Sequence, residues 1–151
     1  MRDQGVEPEV IDLGQQYYDP AVADDDVTDG AYVLTNTVPF SETDDTPALQ
    51  VYREYLEEAG GTETTLGVQA FSAAMLFATA TETLGDDLSR DGLVAALEGI
   101  TEWDGGGLNL LGSPGTNETI DCFLYLRVVD GDSGREHPAE GHDCDPADIH
   151  T

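Results

Sequence analysis

The apolar residues of the chain fall into separate runs, and the period changes from run to run. Residues 9–13, EVIDL, make a short run with strand-forming Val and Ile, and the following GQQYYDPAVADDDVTDG is a loop by its Gly, Pro and Asp content. AYVLTNTVPF, residues 31–40, predicts a second strand that stops at Pro39, which has no N–H to give a ladder. From Pro47 the spacing becomes helical. Leu49, Tyr52, Tyr55, Leu56 and Ala59 share one face, with Thr46 as N-cap, Pro47 at the first helical position and Gly60–Gly61 as the stop.

TTLGVQAFSAAMLFATATETLG, residues 64–85, carries a single charged side chain, Glu82. A membrane span needs about 20 consecutive apolar residues. Thr64, Thr65, Gln69, Ser72, Thr79, Thr81 and Thr83 interrupt this stretch, so it reads as a buried helix. Phe71, Met75, Ala78 and Glu82 lie along one line and Ala74, Phe77 and Thr81 beside it, which predicts burial on nearly all sides. Ser89 caps a third helix with Leu93, Ala96, Leu97 and Ile100 facing inward. TEWDGGGLNLLGSPGTNET is then a long glycine-rich loop, and CFLYLRVVDG is the clearest strand, running into a turn. An acidic tail ends the order. Strands so far apart in sequence leave unpaired edges, so the pattern asks for further elements to complete the sheet.

Length allows one domain with a real core: at 151 residues a chain buries roughly 70% of its extended surface. Charge narrows the partners. The 32 Asp and Glu oppose five Arg and no Lys, giving a formal charge of −27, which repels phosphate backbones and anionic lipid surfaces. Most of these carboxylates read as solvated surface, suited to a saline medium or to solubility.

Cys122 and Cys144 can form a disulfide, remain thiols or bind metal beside His137, His142 and His150; HDCDPADIH lacks the paired close spacing of a zinc site. A disulfide implies a compartment outside the cytosol. MRDQGVEPEV has no apolar h-region of a signal peptide, which conflicts with export. DGDSGREHPAE starts like a calcium loop at Asp130 and Asp132, but Arg135 stands where that loop needs Gly, so it reads as a turn. WDGGGL lacks the Lys and Ser/Thr of a phosphate loop, and no G-x-S-x-G elbow accompanies the three His. Asn117-Glu-Thr119 fits a glycosylation sequon, a short motif that also occurs by chance. No catalytic constellation, cofactor motif or metal site emerges. A hydrolase or metal-dependent enzyme would need one.

DGAYVLTNTVPF, TPALQVYREYLEEAGG, QAFSAAMLFATATETLG, LSRDGLVAALEGIT, a Gly-rich turn and CFLYLRVVDG, in this order, resemble the C-terminal portion of type I periplasmic solute-binding proteins. The nearest subgroup is the branched-chain amino-acid (Leu/Ile/Val) binding components of ABC importers, and the resemblance covers essentially the whole chain. It implies a partial α/β fold, a parallel sheet flanked by helices with the N-terminal half missing, in a non-enzymatic protein that closes on a small solute. Residues 1–38 are then the end of the second lobe and 39–41 a hinge crossing with Pro39 and Phe40. Residues 42–118 are the last helices of the first lobe, 119–131 a second crossing and the returning strand, and 132–151 the acidic tail.

The resemblance also implies ligand contacts. Phe71 stands near the place where the family often has a ligand-touching Tyr, and Gln15, Gln16, Tyr17 and Tyr18 follow a strand whose end faces the cleft. It implies an extracytoplasmic location, ABC permease subunits as partners of the full-length protein, a bound amino acid or similar solute, and no cofactor. Met1 is then expected to be an internal methionine of a longer exported protein. The alternative is a ligand-sensing receptor domain of the same fold, which a membrane span or signalling domain would follow.

Overall fold

The computed structural model describes residues 5, 7–42, 46–86, 88–118 and 122–144. Four strands form one sheet in chain order: β1 (Asp12–Leu13), β2 (Tyr32–Thr35), β3 (Leu124–Val129) and β4 (Asp132–His137). The α/β class and the partial fold expected from the sequence are present, but the sheet is mixed. Only β1 and β2 run parallel; β2–β3 and β3–β4 are antiparallel.

β4 corrects the expectation of a tail from residue 132. Asp130 and Gly131 both take positive φ, 51° and 87°, which is the two-residue hairpin geometry that returns the chain on itself. Val129 then faces Asp132 and the ladder runs on to Tyr125 opposite His137. Beyond it, Phe123 and Asp143 exchange both backbone hydrogen bonds, and Cys122 and Cys144 are joined in a disulfide. Residues 119–121, the start of the expected second crossing, and His150 lie outside the described residues.

The segment after β1 is more ordered than its composition suggested. Gln15–Tyr17 make a 3-10 turn, and α1 (Pro20–Ala23) follows, with the Asp19 side chain accepting from the Ala21 N–H at 2.8 Å. α2 (Pro47–Ala59) keeps its predicted limits, with Gly60 in the left-handed region at φ 64° to stop it. Thr46 stands at the N-cap without a side-chain capping bond. α3 (Thr65–Glu82) and α4 (Arg90–Glu98) each open on a side-chain cap, Thr64 Oγ1 accepting from Gly67 N–H and Ser89 Oγ from Gly92 N–H, both at 3.1 Å.

Burial along α3 departs from the sequence reading. Thr65, Val68, Ser72 and Ala80 are buried, yet Leu66 is 66% and Phe77 55% exposed. α3 contacts α2, α4 and the Gln15–Tyr17 turn, and the exposed Leu66 and Phe77 leave it a bare apolar flank. A helix apolar all round is buried only when elements surround it.

Among the described residues two apolar clusters hold the fold. One, under the sheet, gathers Val33, Leu124, Leu126 and Val128 with Tyr18 and Ala23. The other, between the helices, gathers Leu49, Tyr52, Val68 and Leu108 with Val38. Phe40 packs against both.

Candidate functional site

Phe40 packs against both apolar clusters and marks the joint between them, and of the residues expected at the solute Tyr18 meets it there. Tyr18 is buried and stacks on Phe40 with ring centroids 4.3 Å apart. Its hydroxyl accepts the Phe40 N–H at 2.6 Å, and its carbonyl accepts the Thr65 hydroxyl at 2.8 Å. Tyr18 therefore ties the turn after β1 both to Phe40 and to the first residue of α3. Its hydroxyl and ring are engaged in packing, while the neighbouring Gln16 and Tyr17 remain exposed, Tyr17 by 47%, and Gln15 is half-buried.

The 3-10 turn holding these side chains rests on β2 and on the start of α3. A cavity of about 240 Å³ opens beside it, lined by Tyr18, Asp19, Phe40, Ser41, Glu63 and Ser133. Phe71 lies elsewhere. It sits about two turns into α3, its ring tilted against Tyr52 and Tyr55 of α2 at 5.5 and 6.2 Å, so it serves the helical cluster. A larger cavity, about 320 Å³, lies between α3 and the loop 103–118. Its central hydroxyl, Ser72 Oγ, accepts from Trp103 Nε1 at 3.1 Å and from Asn109 Nδ2 at 2.5 Å, so these polar groups are spent on holding the loop.

Sequence reasoning passed over Arg53, Glu63 and Thr65. Arg53 donates through Nε and Nη2 to both carboxylate oxygens of Glu63, at 2.7 and 2.9 Å, and through Nη2 to the Phe40 carbonyl at 2.6 Å. Burial dominates the surroundings of the Tyr18 phenol, and Glu63 adds to it. Burial pushes the Tyr18 phenol well above the usual tyrosine range, the Phe40 N–H pulls it partly back, and the Glu63 and Glu42 charges push the same way as burial. A lone Arg in an acidic helix was the available signal for Arg53. Among the described residues no group of three His, Cys, Asp or Glu side chains converges to hold a metal ion, and no helix is long and apolar enough to cross a membrane.

The raised Tyr18 phenol gives an alkaline prediction. Folding favours the neutral form, so its contribution is intact below the unfolded pKa of about 10 and is lost as pH rises from there toward the folded value. The urea midpoint of the parent is expected to hold at pH 8 and fall above pH 10, and the fall to be shallower in Tyr18→Phe. Equal slopes in parent and variant would contradict the assignment to Tyr18.

Comparison with known proteins places this geometry. The sequence profile of the periplasmic binding protein family matches residues 1–133. No curated protein matches. Among solved structures the chain is similar to a fatty acid ABC transporter substrate-binding protein from Thermomonospora curvata, at TM-score 0.72 and 19% identity, covering 99% of this chain and 40% of that one. It is similar to a branched-chain amino acid ABC transporter from Thermus thermophilus with bound valine, at TM-score 0.70 and 13% identity, covering 99% and 43%. A leucine-binding protein from Thermotoga maritima aligns at TM-score 0.64 and 17% identity, covering 97% and 40%. The chain thus spans about two fifths of the length of the solved structures it matches. By the match over most of its length, the chain belongs to the periplasmic binding protein family.

Proposed function

We propose that the chain is part of an extracytoplasmic solute-binding component of an ABC importer, taking amino acids or related small polar solutes and working with permease subunits. It carries out no chemistry on the solute. The observation that supports this most is the joint itself. A short crossing, Pro39 to Ser41, passes between two apolar clusters, and the exposed Gln16 and Tyr17 stand one to two residues from the Tyr18–Phe40 stack that closes the joint. Side chains so placed can meet a solute held between two bodies, and a solute that touches both favours the closed arrangement. The disulfide fits an oxidising compartment.

In this reading Gln15, Gln16 and Tyr17 are the chain's contribution to the solute, Tyr18 and Phe40 form the joint, and Phe71 positions α2 against α3. The rest of the pocket falls in the part of the fold of the solved neighbours that lies outside the stretch aligned with these 151 residues. Calorimetric titration tests it. The 151-residue chain alone is expected to give no saturable heat with leucine or valine. The longest in-frame product of its gene is expected to bind one of them at micromolar concentration, and Gln16→Ala with Tyr17→Ala to weaken that binding tenfold or more, since an unmade polar contact costs about 1–3 kcal/mol. Micromolar binding by the short chain would refute the shared pocket. A long product that ignores every amino acid would refute the solute class.

A further inference from the structure

Five arginines oppose 32 carboxylates in this chain, and two of them spend their guanidinium groups on the four residues 39–42. The two attachments differ in where they come from. Arg53 belongs to α2 and binds Glu63, just ahead of α3, together with the Phe40 carbonyl, so it fastens the crossing to the helical side. Arg135 belongs to β4, in register with Leu126 of β3, on the sheet side.

Arg135 reaches Glu42 with both prongs, Nε to Oε1 at 2.5 Å and Nη2 to Oε2 at 2.7 Å, across 93 residues of sequence. Its Nη1 donates to the Gly141 carbonyl at 2.6 Å, which fixes the guanidinium plane. Glu42 lies past Phe40 on the way to α2, its N–H held by the Pro39 carbonyl at 2.9 Å. The Arg135 side chain is only 13% exposed, so salt screens the pair less than an open surface pair. Two parallel charge-assisted bonds also fix direction, which a single contact does not.

We propose that Arg135–Glu42 is a latch across the joint and Arg53 the anchor beside it, so that the helical part can turn on the sheet only by breaking the Arg135 pair. The proposal rests on the reading of residues 39–41 as a crossing that bends. It concerns the motion, and no solute enters it. When the latch opens, the Phe40 N–H leaves the Tyr18 hydroxyl, and that amide becomes the reporter of the joint. The amides of Val128, bonded to Ala31, and Val68, bonded to Thr64, report the interiors of the two clusters.

Native-state hydrogen exchange followed by NMR on the whole chain tests the latch. Arg135→Gln and Glu42→Gln are each expected to speed exchange at Phe40 by about tenfold or more while Val128 and Val68 stay unchanged, because a bidentate bond between charged groups is lost at the joint alone. Arg135→Lys, which keeps the charge and loses the fork, is expected to fall between. The charge-exchanged double variant, Arg135→Glu with Glu42→Arg, is expected to recover most of the protection. A rise shared by all three amides makes the pair an ordinary stabilising contact, and an unchanged Phe40 means that it does not hold the joint; either result overturns the latch. Failure of the solute reading shows in calorimetry and leaves this measurement untouched.

Discussion

Removing the Cys122–Cys144 bond is expected to cost the chain about 3 kcal/mol, the loop-closure estimate for the 22-residue separation it spans. The location makes the effect large. Cys122 precedes β3 and Cys144 follows the Phe123–Asp143 bridge, so the bond closes the open end of the β3–β4 hairpin, opposite its Asp130–Gly131 turn. Without it, the Phe123–Asp143 bridge alone closes the end that carries the Arg135 partner carbonyls at Pro138 and Gly141. Thermal unfolding with and without a thiol reductant, repeated on Cys122→Ser with Cys144→Ser, measures the cost. For a chain of this size 3 kcal/mol corresponds to a drop of roughly 6–12 °C. An unchanged midpoint in both would show that the hairpin holds its end without the bond.

How much of this could be read in advance differs from element to element. α2 was legible from Pro47 to Gly60 because its start and stop are local signals, a proline at the first turn and a glycine that tolerates positive φ. The caps at Ser89 and Thr64 are local in the same way. α1 was missed although Asp19–Pro20 spells an N-cap and a first helical residue; four residues give too little periodicity to stand out from a Gly- and Asp-rich loop. β4 was missed because DSGREH has no apolar alternation at all. Its pairing comes from the Asp-Gly turn and from β3, which supplies the apolar half. The burial of α3 was over-read, since composition reports what a helix can bury and the neighbours decide what it does bury. At the candidate site, the resemblance is what names residues 15–17 as solute contacts, and their local sequence reads only as a loop. The contacts that build the joint, Tyr18 on Phe40 and Arg135 on Glu42, join residues 22 and 93 apart and leave no local trace in the sequence.

Leu126→Ala is expected to be the most damaging single truncation, at about 3–5 kcal/mol. Leu126 is fully buried in the middle of β3, the strand paired on both sides, opposite Val33 and within the cluster that holds Tyr18. Its neighbours in the strand point the other way. Tyr125 and Arg127 lie on the outer face, where Arg127 stands 4.5 Å over the Tyr32 ring and Leu34 is 37% exposed. Leu34→Ala is therefore expected to cost under about 1 kcal/mol, since the outer face buries less of the side chain. Urea unfolding of the two variants beside the parent measures both, and the difference between them carries the argument. A large gap means that the sheet of this chain rests on one core, the one that also seats the joint, so that loosening Leu126 loosens Tyr18 with it. Equal costs would mean that the outer face is covered in solution as well, and the two-cluster account of the fold would need a third packed surface.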